Sequence, residues 1–108
     1  MIYVKDEELG RVDICEPQQD DIEFIRLLLT IESQTTANLN IRDRAIRLAW
    51  ELGPADYEMA RADVFLISQL LMTVAYDSDV INMVAKRQAD RLLNAFEAAT
   101  KRICVSGE

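Results

Sequence analysis

From residue 20 to residue 104, apolar side chains recur three and four positions apart. This spacing limits the fold more than any other feature of the chain. Asp20, with Glu23 three residues on, reads as the start of a first helix over 21–34. Its stripe is Ile22, Ile25, Leu28, Leu29 and Glu32, and Phe24, Leu27 and Ile31 widen it until little of the helix is polar. Asn38 or Asn40 caps a second helix over 41–52, with Ile41, Ala45, Leu48, Ala49 and Leu52 facing inward. Gly53-Pro54 is the clearest stop, because glycine suits the position after a helix and proline blocks continuation. A third helix is expected over 55–76, around Val64-Phe65-Leu66-Ile67 and Leu70-Leu71-Met72. Asp77-Ser78-Asp79 breaks it and caps a fourth over 79–104. The fourth has an inward line of Ile81, Val84, Gln88, Leu92, Ala95, Phe96, Ala99 and Ile103, with Met83 and Leu93 off it.

The first sixteen residues follow a different period. Ile2 and Val4 alternate with Tyr3 and Lys5, Val12 and Ile14 flank Asp13, and Asp6-Glu7-Glu8-Leu9-Gly10 lies between. This predicts a β-hairpin over 1–16. Two strands alone are marginal in water, so the apolar face covers helices or the edge pairs with another chain. The expected fold is mostly α, one domain over 1–108: a bundle of about four helices spanning 20–104 with a short N-terminal β-hairpin.

The chain carries 19 acidic and 12 basic residues, a net charge of −7. The excess is local. Residues 1–32 hold nine acids and three bases, whereas residues 77–108 hold five of each. Asp6, Glu7, Glu8, Asp13, Asp20 and Asp21 are therefore the candidate acidic face for a partner with a basic surface, where charge guides the encounter more than it sets affinity. There is no signal-peptide pattern at the start. The longest near-apolar stretch, Val64 to Tyr76, is too short to span a bilayer. A cytoplasmic protein without membrane contact is expected.

With no histidine anywhere, the commonest general base and metal ligand are missing. Serines 33, 68, 78 and 106 lie in no nucleophile elbow, no lysine is placed for a Ser–Lys pair, and no glycine-rich phosphate loop occurs. Asp77-Ser78-Asp79 opens like a calcium loop but lacks its glycine. Cys15 and Cys104 lack the spacing of a zinc or redox motif and read as free, mostly buried thiols. No catalytic residue, cofactor or metal is expected.

Arginine outnumbers lysine nine to three. Arg42, Arg44 and Arg47 on the second helix, with Arg87 and Arg91 on the fourth, form the alternative nucleic-acid face. Helices two and three around Gly53-Pro54 have helix-turn-helix lengths. The third helix, however, offers Met59, Val64, Phe65, Ile67 and Leu70 where a groove requires polar side chains. Leu27-Leu28-Leu29, Arg42-Asp43-Arg44-Ala45, Leu52-Gly53 and Met59-Ala60 together loosely resemble the FlhD family of flagellar regulator subunits. That resemblance implies a helical dimer that binds DNA with a partner subunit. The N-terminal hairpin is not part of that family's pattern.

The remaining signal is surplus apolar surface. Helices one and three are apolar nearly all round, and so small a domain has few elements to cover them. A homodimer is therefore expected. Phe65, Ser68, Gln69 and Met72 are its candidate interface. Ser68 and Gln69 either fix register across that contact or lie on the third helix's exposed edge. Trp50 and Tyr57 either anchor a partner or cover the end of the core. Taken together, the residues point to a non-catalytic protein-binding module, such as an adaptor, assembly chaperone or inhibitor, of a kind that suits a phage or mobile element. A dimeric transcriptional regulator is the alternative.

Overall fold

A computed structural model describes residues 1–53, 55–77 and 82–106, with side chains of the last helix described to residue 103. The chain is mostly α, with a small sheet at one end of the helices. In order, the elements are β1 (Ile2–Asp6), β2 (Gly10–Cys15), α1 (Gln19–Thr35), α2 (Leu39–Glu51), β3 (Tyr57–Glu58), α3 (Arg61–Tyr76) and α4 (Met83–Ser106). The helices pair by sequence: α1 lies along α2 and α3 along α4, with α1 also touching α3 and β2 packed on α4.

β1 and β2 form the expected antiparallel pair, with Val4 opposite Val12 and Lys5 opposite Arg11. The turn closes because the Asp6 carboxylate accepts from the N–H groups of Glu8 and Leu9, at 2.8 and 2.9 Å. Gly10 follows with φ 73°, a left-handed conformation that a side chain would strain. Alternation along the pair drives Ile2, Val4, Val12 and Ile14 into the core.

The hairpin is not the whole sheet. β3 pairs parallel to the other edge of β1, giving the order β2-β1-β3 and making β1 the central strand. The N–H of Tyr57 donates to the Met1 carbonyl at 3.0 Å, and that of Met59 to the Tyr3 carbonyl at 2.7 Å. This corrects the start of the third helix, expected at 55 and found at Arg61. A two-residue strand has no measurable period, and its partner lies more than fifty residues away in sequence.

The helix caps also differ from expectation. α1 begins two residues early, at Gln19, and the capping carboxylate is that of Asp21, which accepts from the Gln18 N–H at 3.1 Å. Asn38, not Asn40, caps α2, its side chain accepting from the N–H groups of Asn40 and Ile41. Pro54, Ser78, Asp79, Ile81 and the Cys104 side chain lie outside the described residues, as do the break and cap placed on them. On α4, Leu92, Phe96, Ala99 and Ile103 are buried as expected, but Leu93 is buried and Val84 exposed. The helix thus turns its middle toward the core and leaves its first turn outside. One cluster joins Ile2, Val4 and Val12 of the sheet to Ile25, Leu29, Leu48, Ile67, Leu71, Leu92 and Phe96 of the helices. No described helix is long and apolar enough to cross a membrane.

Cys15 is free and half-buried at the end of β2. Burial, with the Asp21 carboxylate nearby, pushes its thiol up to about 11. In a Cys104→Ser background, thiol-exchange kinetics at pH 8 should show Cys15 reacting about a hundredfold more slowly in the folded than in the denatured chain, because the thiolate is the nucleophile.

Candidate protein-binding surfaces

Two of the charged side chains serve to close the fold. Asp21 and Asp63 are 0 % and 1 % exposed, and each is the third residue of its helix, α1 and α3 respectively. Asp21 accepts from Gln88 Nε2 at 3.0 Å and forms a short ion pair with Arg91, both on α4. Asp63 accepts from Arg47 Nη2 at 3.0 Å and lies 3.2 Å from Arg44 Nε, both on α2. Carboxylates at these positions meet the positive ends of their helices, and the arginines complete the neutralisation. From Asp63 the network continues through Arg47 to Glu51 at 3.3 Å, and on to the Tyr57 hydroxyl, which donates to Glu51 at 2.6 Å. That contact ties α2 to β3. Burial, with the hydrogen bond to Glu51, pushes the Tyr57 hydroxyl up to about 12.

These contacts redistribute both charged faces expected from the sequence. Arg44, Arg47 and Arg91 are bound to buried carboxylates and contribute little to a nucleic-acid surface; the Asp63 and Asp21 hydrogen bonds raise Arg47 and Arg91 further. Among the described residues, Arg42 and Arg87 carry no ion pair. On the acidic side, Asp21 is buried, Asp6 closes the turn, and Asp13 pairs with Arg11 at 2.6 Å. Glu7 and Glu8 sit at the hairpin turn, while Asp20 lies past the far end of β2, six strand residues and about 20 Å away. The expected acidic face is therefore two groups: Glu7 and Glu8 at the turn, and Asp20 with Glu23 on α1.

The apolar surplus survives folding on α1, α2 and α3, and at Met83 and Val84 in the first turn of α4. On α1, Leu27 and Ile31 are exposed and share the outer face with Asp20 and Glu23. On α2, Leu39, Ile46 and Trp50 form a stripe opposite the buried Ala45 and Leu48, and Trp50 is 82 % exposed. Trp50 thus does not cover the core's end, whereas Tyr57 packs against the core.

On α3, Phe65, Gln69 and Met72 of the candidate interface lie together in a groove of about 630 Å3. Ile41 and Arg44 of α2 wall one side, and Glu97, Thr100 and Lys101 of α4 the other. The groove continues past Gln69 and Met72 into a further 450 Å3 or so bounded by Glu32, Thr73, Tyr76 and Asp77. Ser68 also lines the groove but is the least exposed of the four. It is buried, and its hydroxyl donates to the Val64 carbonyl at 2.8 Å, so it is occupied within its own helix. Among the described residues, no cluster of three or more acidic or cysteine side chains is arranged to hold a metal ion.

No family model, curated protein or solved structure matches the chain, and the resemblance to flagellar regulator subunits carries no further argument.

Burial opposes ionisation of Asp21, but hydrogen bonds from Arg91, Gln88 and the Gln18 N–H outweigh it and hold the carboxyl below its usual value. Its stabilisation is therefore complete at neutral pH and is lost as acidification passes through that lowered value. Urea denaturation at pH 7 should show Asp21→Ala costing about 2–3 kcal/mol, from the lost cap and charged hydrogen bonds, and Asp63→Ala about 2 kcal/mol, from the lost hydrogen bond to Arg47 and ion pair with Arg44. Arg91→Ala should cost about 1–3 kcal/mol, because the guanidinium is mostly in water but the carboxylate it leaves behind is buried, with Gln88 and the Gln18 N–H as its remaining partners. The deficit of Asp21→Asn against the parent should shrink as the pH is lowered.

Proposed function

We propose that the protein is a non-catalytic protein-binding module, an adaptor, assembly chaperone or inhibitor, that acts in the cytoplasm as a homodimer through apolar helix faces. The observation that carries this reading is the apolar surface left in water after the core has closed: the Leu39–Ile46–Trp50 stripe of α2, and separately the α3 groove. A tryptophan 82 % exposed on a regular helix contributes almost nothing to the fold. Exposed aromatic side chains of this kind are the usual anchors of protein interfaces.

The chemistry of the partner follows from α1. Its outer face places Asp20 and Glu23 next to Leu27 and Ile31, so a matching surface is basic at one end and apolar at the other. Glu7 and Glu8 at the hairpin turn add to the negative field that guides such a partner in. The regulator alternative rests on Arg42 and Arg87, and the same experiment tests it.

Affinity capture from the native host's lysate, with and without nuclease, should return one stoichiometric protein that survives nuclease. Trp50→Ser should weaken its binding about tenfold or more while changing stability by no more than about 0.5 kcal/mol. Trp50 is the chain's only tryptophan, so its emission should shift to the blue on titration with that partner. Asp20→Lys with Glu23→Lys should slow association and flatten its salt dependence more than it speeds dissociation. Co-purification that vanishes with nuclease would replace this reading with the regulator, and full retention by Trp50→Ser would remove the α2 stripe from the interface.

A further inference from the structure

Trp50 is the most exposed large apolar side chain among the described residues, yet the backbone that carries it is held from two sides. It lies in the last turn of α2, and helix ends are where hydrogen bonds run out and the backbone opens most readily. That turn has no basic residue of its own to meet the negative end of the helix. The charge comes from α1 instead. Arg26 Nη2 donates to the carbonyl of Leu52, the residue that closes α2. Arg26 is half-buried and its Nε is enclosed without a hydrogen-bond partner. Among the described residues, the Leu52 carbonyl is the one group to which this guanidinium is bonded.

Glu51 is held as well. Its carboxylate accepts from the Tyr57 hydroxyl of β3 at 2.6 Å and from Arg47, one turn back, at 3.3 Å. Both residues that follow Trp50 are therefore bonded to elements outside α2: Glu51 through its side chain to β3, and Leu52 through its carbonyl to α1. Leu52 also buries its own side chain, and its N–H donates to the Leu48 carbonyl at 3.0 Å.

The Arg26 contact does more than satisfy a carbonyl. An enclosed Nε without a partner loses its hydration and regains no hydrogen bond, whereas water would satisfy the Leu52 carbonyl without that penalty. What the contact adds is a fixed last turn, and the side chain that this turn presents is Trp50. An anchor that is already fixed need not be ordered when a partner arrives, which raises affinity without any new contact. We propose that Arg26, together with Tyr57, is a positioning residue for Trp50. The two hold the last turn of α2 so that the indole is displayed from a rigid backbone before a partner binds. This role rests on the reading of Trp50 as a partner anchor and adds the residues that prepare it.

Amide hydrogen exchange on the free full chain tests the assignment without any partner. Arg26→Met keeps the length of the side chain and removes its donors. It should speed exchange at the Trp50 and Leu52 amides about tenfold more than at Leu92 and Phe96 in the interior of α4. Arg26→Lys, which retains a charged donor, should restore most of the lost protection. Tyr57→Phe leaves the ring on the core and removes only the bond to Glu51. It should loosen the same two amides by a smaller factor, and it serves as the second handle should Arg26→Met fail to fold.

An equal rise at all four amides would overturn the assignment, because Arg26 would then act on the whole fold. No rise at Trp50 and Leu52 would overturn it as well. So would Arg26→Lys behaving as Arg26→Met, which would remove the donated bond as the cause. Loosening as expected, combined with full protein capture by Trp50→Ser, would instead overturn the anchor role of Trp50 and leave the two contacts as parts of the fold alone.

Discussion

Asp21 and Asp63 have the same role in two places. Each is buried at the third position of a helix, and each is neutralised by arginine from another helix: Asp21 by Arg91 of α4, and Asp63 by Arg44 and Arg47 of α2. A buried carboxylate without a partner costs several kcal/mol, so neither helix can start where it does unless the opposing helix is already alongside. The aliphatic core supplies most of the stabilisation but little direction, because Leu, Ile and Ala pack acceptably in many relative orientations. The two carboxylates select among those orientations. They hold the start of α1 to α4 and the start of α3 to α2, which are the connections the sequential helix pairs do not provide. The Arg47–Glu51–Tyr57 continuation carries the same constraint to β3 and the sheet.

Using arginines to close the fold removes part of the basic charge from the outer surface. Three of the five arginines that could have faced a phosphate backbone are bound to buried carboxylates. The unpaired apolar side chains are concentrated on helix faces, where they can engage another helix without rearrangement of the chain. Two such faces, on α2 and α3, belong to different helical pairs.

Much of the architecture was legible in the residues. Apolar periodicity located the four helices to within a few positions, except at the start of α3, and alternation located the hairpin. Both signals are local, and both reflect which face must leave water. The same reading picked out Phe65, Gln69 and Met72 as a surface. It failed where the deciding partner was distant. Tyr57 and Glu58 are a strand only because Met1 and Tyr3 offer an edge to them. Asp20 and Asp21 are adjacent and chemically alike, yet one is in water and the other meets Arg91 and Gln88 some seventy residues away. One clue to these buried carboxylates was present in the sequence, since each precedes a buried aliphatic residue early in an apolar helix. An acid there also serves as an ordinary first-turn residue, and the pattern alone does not separate the two.

What the sequence by itself determined is the set of elements and their apolar faces: periodicity and turn chemistry act over a few residues and need no knowledge of the rest of the chain. What only the tertiary structure decided is which charges are spent and which remain free, because an ion pair depends on the position of two helices at once. The acidic third of the chain became one buried clamp, one turn cap, one strand pair and two exposed groups, although its residues are alike in type. Ser68 and Gln69, neighbours in sequence, both line the groove, but the first is buried and satisfied inside its own helix whereas the second is exposed.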